Sequence, residues 1–336
     1  MSISFHDLLK FTIVSALLST AACGGDDSAA PTGAAASTTG AGTTGAGGDG
    51  GTTGVGGTGG TGGMGSTGGA GGAPPHLEPD PAFLPEATGP CPEFVDGTIT
   101  VTPDGKARDV QIWISDAAQT LDGPLIFYWH GTGGSPINQP PNALGAANVE
   151  AILAEGGIIA AAHHDPAAGT FPWFLTTGSG PEDDLRVADE VLACAIEKVG
   201  IDKRRIHSIG MSAGGLNTTQ MSYRRSGYLA SVVTYSGGLL GAPPDQDPTN
   251  KFPAMIFHGG PSDQVVIGFQ AASEAYRDAL TDAGHFAFIC DHGMGHTIPT
   301  DAVDSVRQFF VDHPFGTTPS PYAGGLPTGF PSYCSL

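Results

Sequence analysis

The stretch that most limits what this chain can become is Arg205-Ile-His-Ser-Ile-Gly210-Met-Ser212-Ala-Gly-Gly215. Its first half is apolar and rich in isoleucine, as a buried strand requires, and a helical pattern follows. Between them stands Gly-x-Ser-x-Gly, which turns the chain from strand to helix so sharply that side chains two residues either side of Ser212 would collide. A serine in that turn is lifted clear of the sheet, at a helix N-terminus whose unpaired N–H groups favour negative charge. A chemically inert Gly-Ser turn satisfies the same pattern, so a reactive serine needs partners elsewhere.

The surrounding pattern supplies a frame for such partners. Strands are predicted over residues 98–102 and 110–114, around the hairpin turn Pro103-Asp-Gly105. Residues 124–129 and 158–162 are continuous apolar runs, the mark of strands buried on both faces. Further strands are expected at 231–235, 253–257 and 285–289, and helices at 142–155, 181–199, 213–225, 269–283 and 300–313. The helix at 181–199 opens with Glu182-Asp-Asp184, carboxylates suited to its dipole, and stops at Gly200. Strands alternating with helices predict an α/β fold, with a mostly parallel sheet covered on both faces and led by an antiparallel hairpin. Sites in such sheets lie beyond the C-terminal ends of the strands.

The candidate chemical residues all fall there. His130-Gly-Thr-Gly-Gly134 follows the strand at 124–129 and suits an oxyanion loop. The backbone N–H of Thr132, or less favourably Gly131, would pair with that of Ala213. No Gly-Lys-Ser/Thr or G-x-G-x-x-G run supports a phosphate loop instead. Asp263 follows the strand at 253–257, where an orienting acid is expected, although a helix N-cap would use the same residue. Gly295-His296-x-x-Pro299 follows the strand at 285–289 and offers His296 as the base, with His292 as competitor. Ser212 would then attack a carbonyl, His296 would move the proton, and Asp263 would fix the imidazole.

His130, Gly131 and Trp173 are expected to face substrate. Phe171-Pro-Trp173-Phe174 could form an exposed aromatic platform or a lid packed on the sheet, and Trp129 belongs to the core. His163-His164-Asp165 and His292-x-x-x-His296 have spacings a metal could use. His296 is already engaged and the second pair falls in a loop, so no metal is expected.

The remaining composition bears on location. Residues 1–22 carry one lysine, Lys10, an apolar run and then small residues before Cys23, which reads as an export signal with a lipidation site. Residues 24–73 are almost wholly Gly, Thr, Ala and Ser, too poor in apolar surface to pack, and predict a tether spanning about 40 Å. A Pro-rich stretch continues it to residue 90. The catalytic domain is expected at 91–315, with a Pro/Gly-rich tail at 316–336. Cys91, Cys194, Cys290 and Cys334 remain beside Cys23, and an oxidising compartment predicts two disulfides in one of three pairings. Buried free thiols are the alternative. A formal net charge of −20 excludes nucleic acid and anionic membrane surfaces as partners. A monomer is expected, with membrane contact only through a lipid on Cys23.

Taken together, these motifs resemble the secreted esterases that include polyhydroxybutyrate depolymerases, feruloyl esterases and acetylxylan esterases. The likeness rests on His130–Gly134, Asp183-Asp184 opening a helix, Gly200–Gly215, Asp263 and Gly295-His296-x-x-Pro299, and covers residues 91–315. It implies an α/β-hydrolase fold and hydrolysis of carboxylic esters, polymeric or small, outside the cytoplasm and with no cofactor. Placed on that fold, the cysteines are expected to pair as Cys91–Cys194 and Cys290–Cys334, because Cys194 and Cys290 would be far apart. Serine peptidases and acyltransferases use the same constellation, and a non-catalytic binding protein could retain the serine turn without needing all three partners.

Overall fold

The computed structural model describes residues 80–175 and 180–336. The expected export signal at 1–22, Cys23, the expected tether at 24–73 and the first part of the Pro-rich stretch, to residue 79, lie outside the described residues. One nine-stranded sheet organises the rest, in the order β1-β2-β4-β3-β5-β6-β7-β8-β9. Strands β1 (Gly97–Val101) and β2 (Arg108–Trp113) form the antiparallel hairpin, and β2 runs antiparallel to β4 (Ile158–Ala162). From β4 the sheet is parallel through β3 (Leu125–Trp129), β5 (Ile206–Met211), β6 (Ser231–Tyr235), β7 (Ala254–His258) and β8 (Ala287–Asp291). This is the α/β-hydrolase fold.

The two-residue periodicity of a strand sends alternate side chains to opposite cores. On β3, Leu125, Phe127 and Trp129 join one apolar cluster, while Ile126 and Tyr128 join the other. The first cluster is covered by α3 (Glu182–Lys198), α4 (Ala213–Arg224) and α5 (Phe269–Asp282) through Leu185, Val191, Met221, Tyr276 and Leu280. The second is covered by α1 (Gln139–Leu144), α2 (Ala146–Ala154) and α6 (Val303–Asp312) through Leu144, Ile152 and Phe309. Strands fully buried between two helical layers explain the unbroken apolar runs of the sequence.

Three features differ from the sequence expectations. The helix expected at 142–155 is two helices, broken at Gly145, whose φ of 83° an L side chain rarely adopts. A Cβ there would lie 2.9 Å from Val303 at the start of α6. Packing also begins ahead of Cys91: Leu84 and Ala87 lie against the first cluster, and the N–H groups of Thr88 and Gly89 donate to the buried Glu190 at 2.8 and 2.7 Å. Finally, the tail adds a strand, β9 (Cys334–Ser335), antiparallel to β8.

The cysteines pair as Cys91–Cys194 and Cys290–Cys334, with Cα separations of 5.1 and 3.9 Å. The first ties the lead-in to α3 and the second ties the tail to β8, an arrangement suited to an oxidising compartment. Among the described residues, no helix is long and apolar enough to cross a membrane.

Candidate active site

Ser212 caps α4 in the turn after β5, with φ 59° and ψ −120°. A non-glycine residue in this region is strained by about 1–3 kcal/mol. The turn is held by the Ser212 N–H donating to Tyr235 O at 2.9 Å and by its carbonyl accepting from Leu216 N at 2.9 Å. The glycines on either side are steric necessities. A Cβ on Gly210 would fall 2.3 Å from Gly214 O, and one on Gly214 would fall 1.9 Å from Trp129 O. Strand and helix can cross this closely only without those side chains.

His296, on the loop after β8, approaches the serine from one side. Its Nε2 lies 2.8 Å from Ser212 Oγ, and its Nδ1 lies 2.7 Å from Asp263 Oδ1. Phe269, the first residue of α5, stacks on the imidazole with centroids 4.8 Å apart. Asp263 follows a short turn after β7, and its side chain is wholly buried. Its second oxygen accepts from Ser236 Oγ at 2.8 Å and from Gly259 N at 2.9 Å. Burial pushes the Asp263 carboxyl up, but the bonds from His296, Gly259 and Ser236 and the nearby His296 charge outweigh it and hold the carboxyl below its usual range. An ionised Asp263 thus accepts from Nδ1–H, leaving Nε2 to receive a proton from Ser212. His292, the alternative base, is buried and makes neither contact; its Nδ1 accepts from Met294 N at 3.2 Å.

The loop after β3 lies against Ser212. A Cβ on Gly131 would stand 3.2 Å from Ser212 Cβ and 3.1 Å from Met211 O. The Gly131 N–H donates to Gln139 Oε1 at 3.2 Å, which also accepts from Tyr128 Oη. Gly131 is therefore not the free donor. Thr132 N–H bonds to no acceptor among the described residues, and Ala213 N–H belongs to the first, unpaired turn of α4.

Two residues expected to face substrate do not. His130 is 1 % exposed and its Nδ1–H donates to Gly131 O at 2.9 Å, so it shapes the loop from behind. Burial, helped by His164 and His163 and opposed by the Gly131 bond, depresses it to about 4 and keeps it neutral. Trp173 is also 1 % exposed. Its indole N–H donates to His130 O at 2.9 Å and its ring packs edge-on against Trp129 at 5.0 Å. The aromatic segment is packed inward, with Phe174 also buried and the indole against the Trp129 and His130 rings. Among the described residues, no group of three or more His, Cys, Asp or Glu is placed to hold a metal ion.

Sequence reasoning missed Ser236, Gln139 and Phe269. Only their positions, just past a strand end or at a helix start, hinted at them.

No protein-family model matches the chain, and no curated protein matches it significantly in sequence. Solved structures do. The chain is similar to a thermostable esterase, with a TM-score of 0.54 and 18 % identity over 65 % of this chain and 62 % of that one. It therefore spans less than two thirds of that esterase. It is also similar to native pOPH, with a TM-score of 0.57 and 19 % identity over 73 % of this chain and 96 % of that one. One of two fungal esterases from Rhizomucor miehei follows, at 0.50 and 15 % over 67 % and 85 %. At such identities the likeness is one of fold.

Proposed function

We propose that this chain is a serine hydrolase that cleaves carboxylic esters outside the cytoplasm. The reading is carried by the unbroken relay Ser212 Oγ–His296 Nε2 at 2.8 Å and His296 Nδ1–Asp263 Oδ1 at 2.7 Å. In this mechanism His296 takes the Ser212 proton as Oγ attacks the ester carbonyl carbon. The tetrahedral oxyanion is held by the N–H groups of Thr132 and Ala213, about 3–4 kcal/mol for each well-placed donor. Collapse breaks the bond to the alkoxy oxygen, which leaves as alcohol with the proton from His296. Water then enters by the same route in reverse, releasing acid and free Ser212. Asp263 stays ionised and holds the imidazolium.

The esterases among the structures it resembles favour esters over peptides. Ile137, Val265, Val266 and Met294 are exposed apolar side chains on the loops after β3, β7 and β8, the loops that also carry Thr132, Asp263 and His296. They favour an apolar acyl chain or polyester over a charged substrate. A tethered location outside the cytoplasm is supported by the export signal and lipidation site read from residues 1–23 and by the two disulfides.

A fluorophosphonate probe tests the proposal. Intact protein should label at Ser212, and Ser212→Ala should abolish both labelling and turnover of p-nitrophenyl esters. Hydroxycinnamate esters, polyester film and peptides in the same panel separate the substrate classes. An unlabelled, inactive wild-type protein would sink the reading.

A further inference from the structure

The residue after β6 sits in a conformation that a serine does not choose. Ser236 has φ 48°, although Gly237 and Gly238 follow at once and glycine takes this region without penalty. It is 1 % exposed, and its N–H donates to Phe257 O, on the strand that leads to Asp263. That bond and the left-handed turn aim the side chain at the next loop, where Oγ donates to Asp263 Oδ2 at 2.8 Å. The Asp263 side chain is wholly buried, so no bulk water stands by to replace a lost donor.

We infer that Ser236 is a positioning residue for the proposed hydrolysis, acting through Asp263 on His296. The carboxylate has a division of labour. Oδ2 is occupied by Ser236 Oγ and Gly259 N, which fixes the plane of the group, and Oδ1 is left for His296 alone. Without the hydroxyl, the carboxylate is held by one backbone donor and can turn. The negative charge that Ser236 neutralised is then available to His296, favouring the protonated imidazole. Among the described residues, His292 also lies within electrostatic reach of Asp263, and its own neighbours include Asp291, His258 and Asp301. None of these is touched by a change at Ser236.

This inference rests on the hydrolase reading, and the test separates the two. Full-length wild type, Ser236→Ala and Ser236→Gly are assayed on a soluble p-nitrophenyl ester from pH 5 to 9. Both variants should lose about 10- to 100-fold in kcat, the range of one hydrogen bond to a charged group, with KM within about twofold. The acid limb of kcat/KM should move to higher pH in both. Ser236→Gly relieves the backbone, so it carries the test even where the alanine variant fails to fold. A loss confined to alanine, a loss without movement of the limb, or activity within twofold of wild type makes Ser236 a turn residue only and overturns the inference. A wild-type chain that neither labels nor turns over ester fails the hydrolase reading, and the role of Ser236 falls with it.

Discussion

Arg108 and Asp184 form a buried ion pair, and removing the arginine has a calculable cost. Arg108 is 4 % exposed and Asp184 not at all; Nη2 donates to Oδ1 at 2.9 Å, and Oδ2 accepts from Phe174 N at 2.6 Å. Burial raises the Asp184 carboxyl, against the pull of Phe174 N and Arg108. Arg108→Met strands that carboxylate without its counter-charge, which costs about 3–5 kcal/mol in buried pairs. That is a large share of a total stability of about 5–15 kcal/mol. The loss should itself depend on pH. A carboxyl whose folded value is raised contributes stability that is complete below its unfolded value near 3.8 and is lost as pH rises through the folded value. In the variant that folded value climbs further, so Asp184 takes up a proton and limits the damage in acid. The stability difference, measured by urea unfolding, should be about 1–3 kcal/mol smaller at pH 5 than at pH 7. Titration of histidines elsewhere cancels, since wild type and variant share it. Asp184→Leu added to Arg108→Met should restore only part of the loss, because it removes the stranded charge but leaves the Phe174 N–H without its acceptor. A difference below about 1 kcal/mol, or one equal at both pH values, would refute the reasoning.

Other outcomes follow from the geometry. His296→Ala should lower kcat/KM for a soluble ester by several orders of magnitude, whereas His292→Ala should leave kcat within a few-fold; the reverse result would move the base to His292. Replacing Cys91 and Cys194 with alanine should lower stability by about 4.7 kcal/mol, the loop-closure value for a crosslink across roughly 100 residues, as read by denaturant unfolding with and without reductant.

The Ser212 turn was legible because its glycines answer a steric demand that any chain in this conformation meets: a Cβ on Gly214 would fall 1.9 Å from Trp129 O. Asp263 and His296 were legible by chain order, since each follows a buried strand within a few residues. Trp173 was harder. An aromatic run in a loop reads equally as surface or lid, and the hydrogen bond to His130 O that decides it joins residues 43 apart. Ser236 and Gln139 carry no motif, because their roles depend on contacts between loops that only the folded sheet brings together. The split at Gly145 was masked by Asn142 and Ala143, which continue the helical pattern through a residue whose backbone breaks it.

Strand β9 has only two residues, yet it occupies the outer edge of β8, where an open row of backbone donors and acceptors would otherwise invite another chain to dock. So short a strand could not hold its place by ladder bonds alone, and the Cys290–Cys334 link supplies what its length does not. His296 lies six residues past Cys290. The firmness of that rim is therefore set partly by the redox state of the surroundings, and a chain retained among reducing thiols would carry His296 on a looser shore.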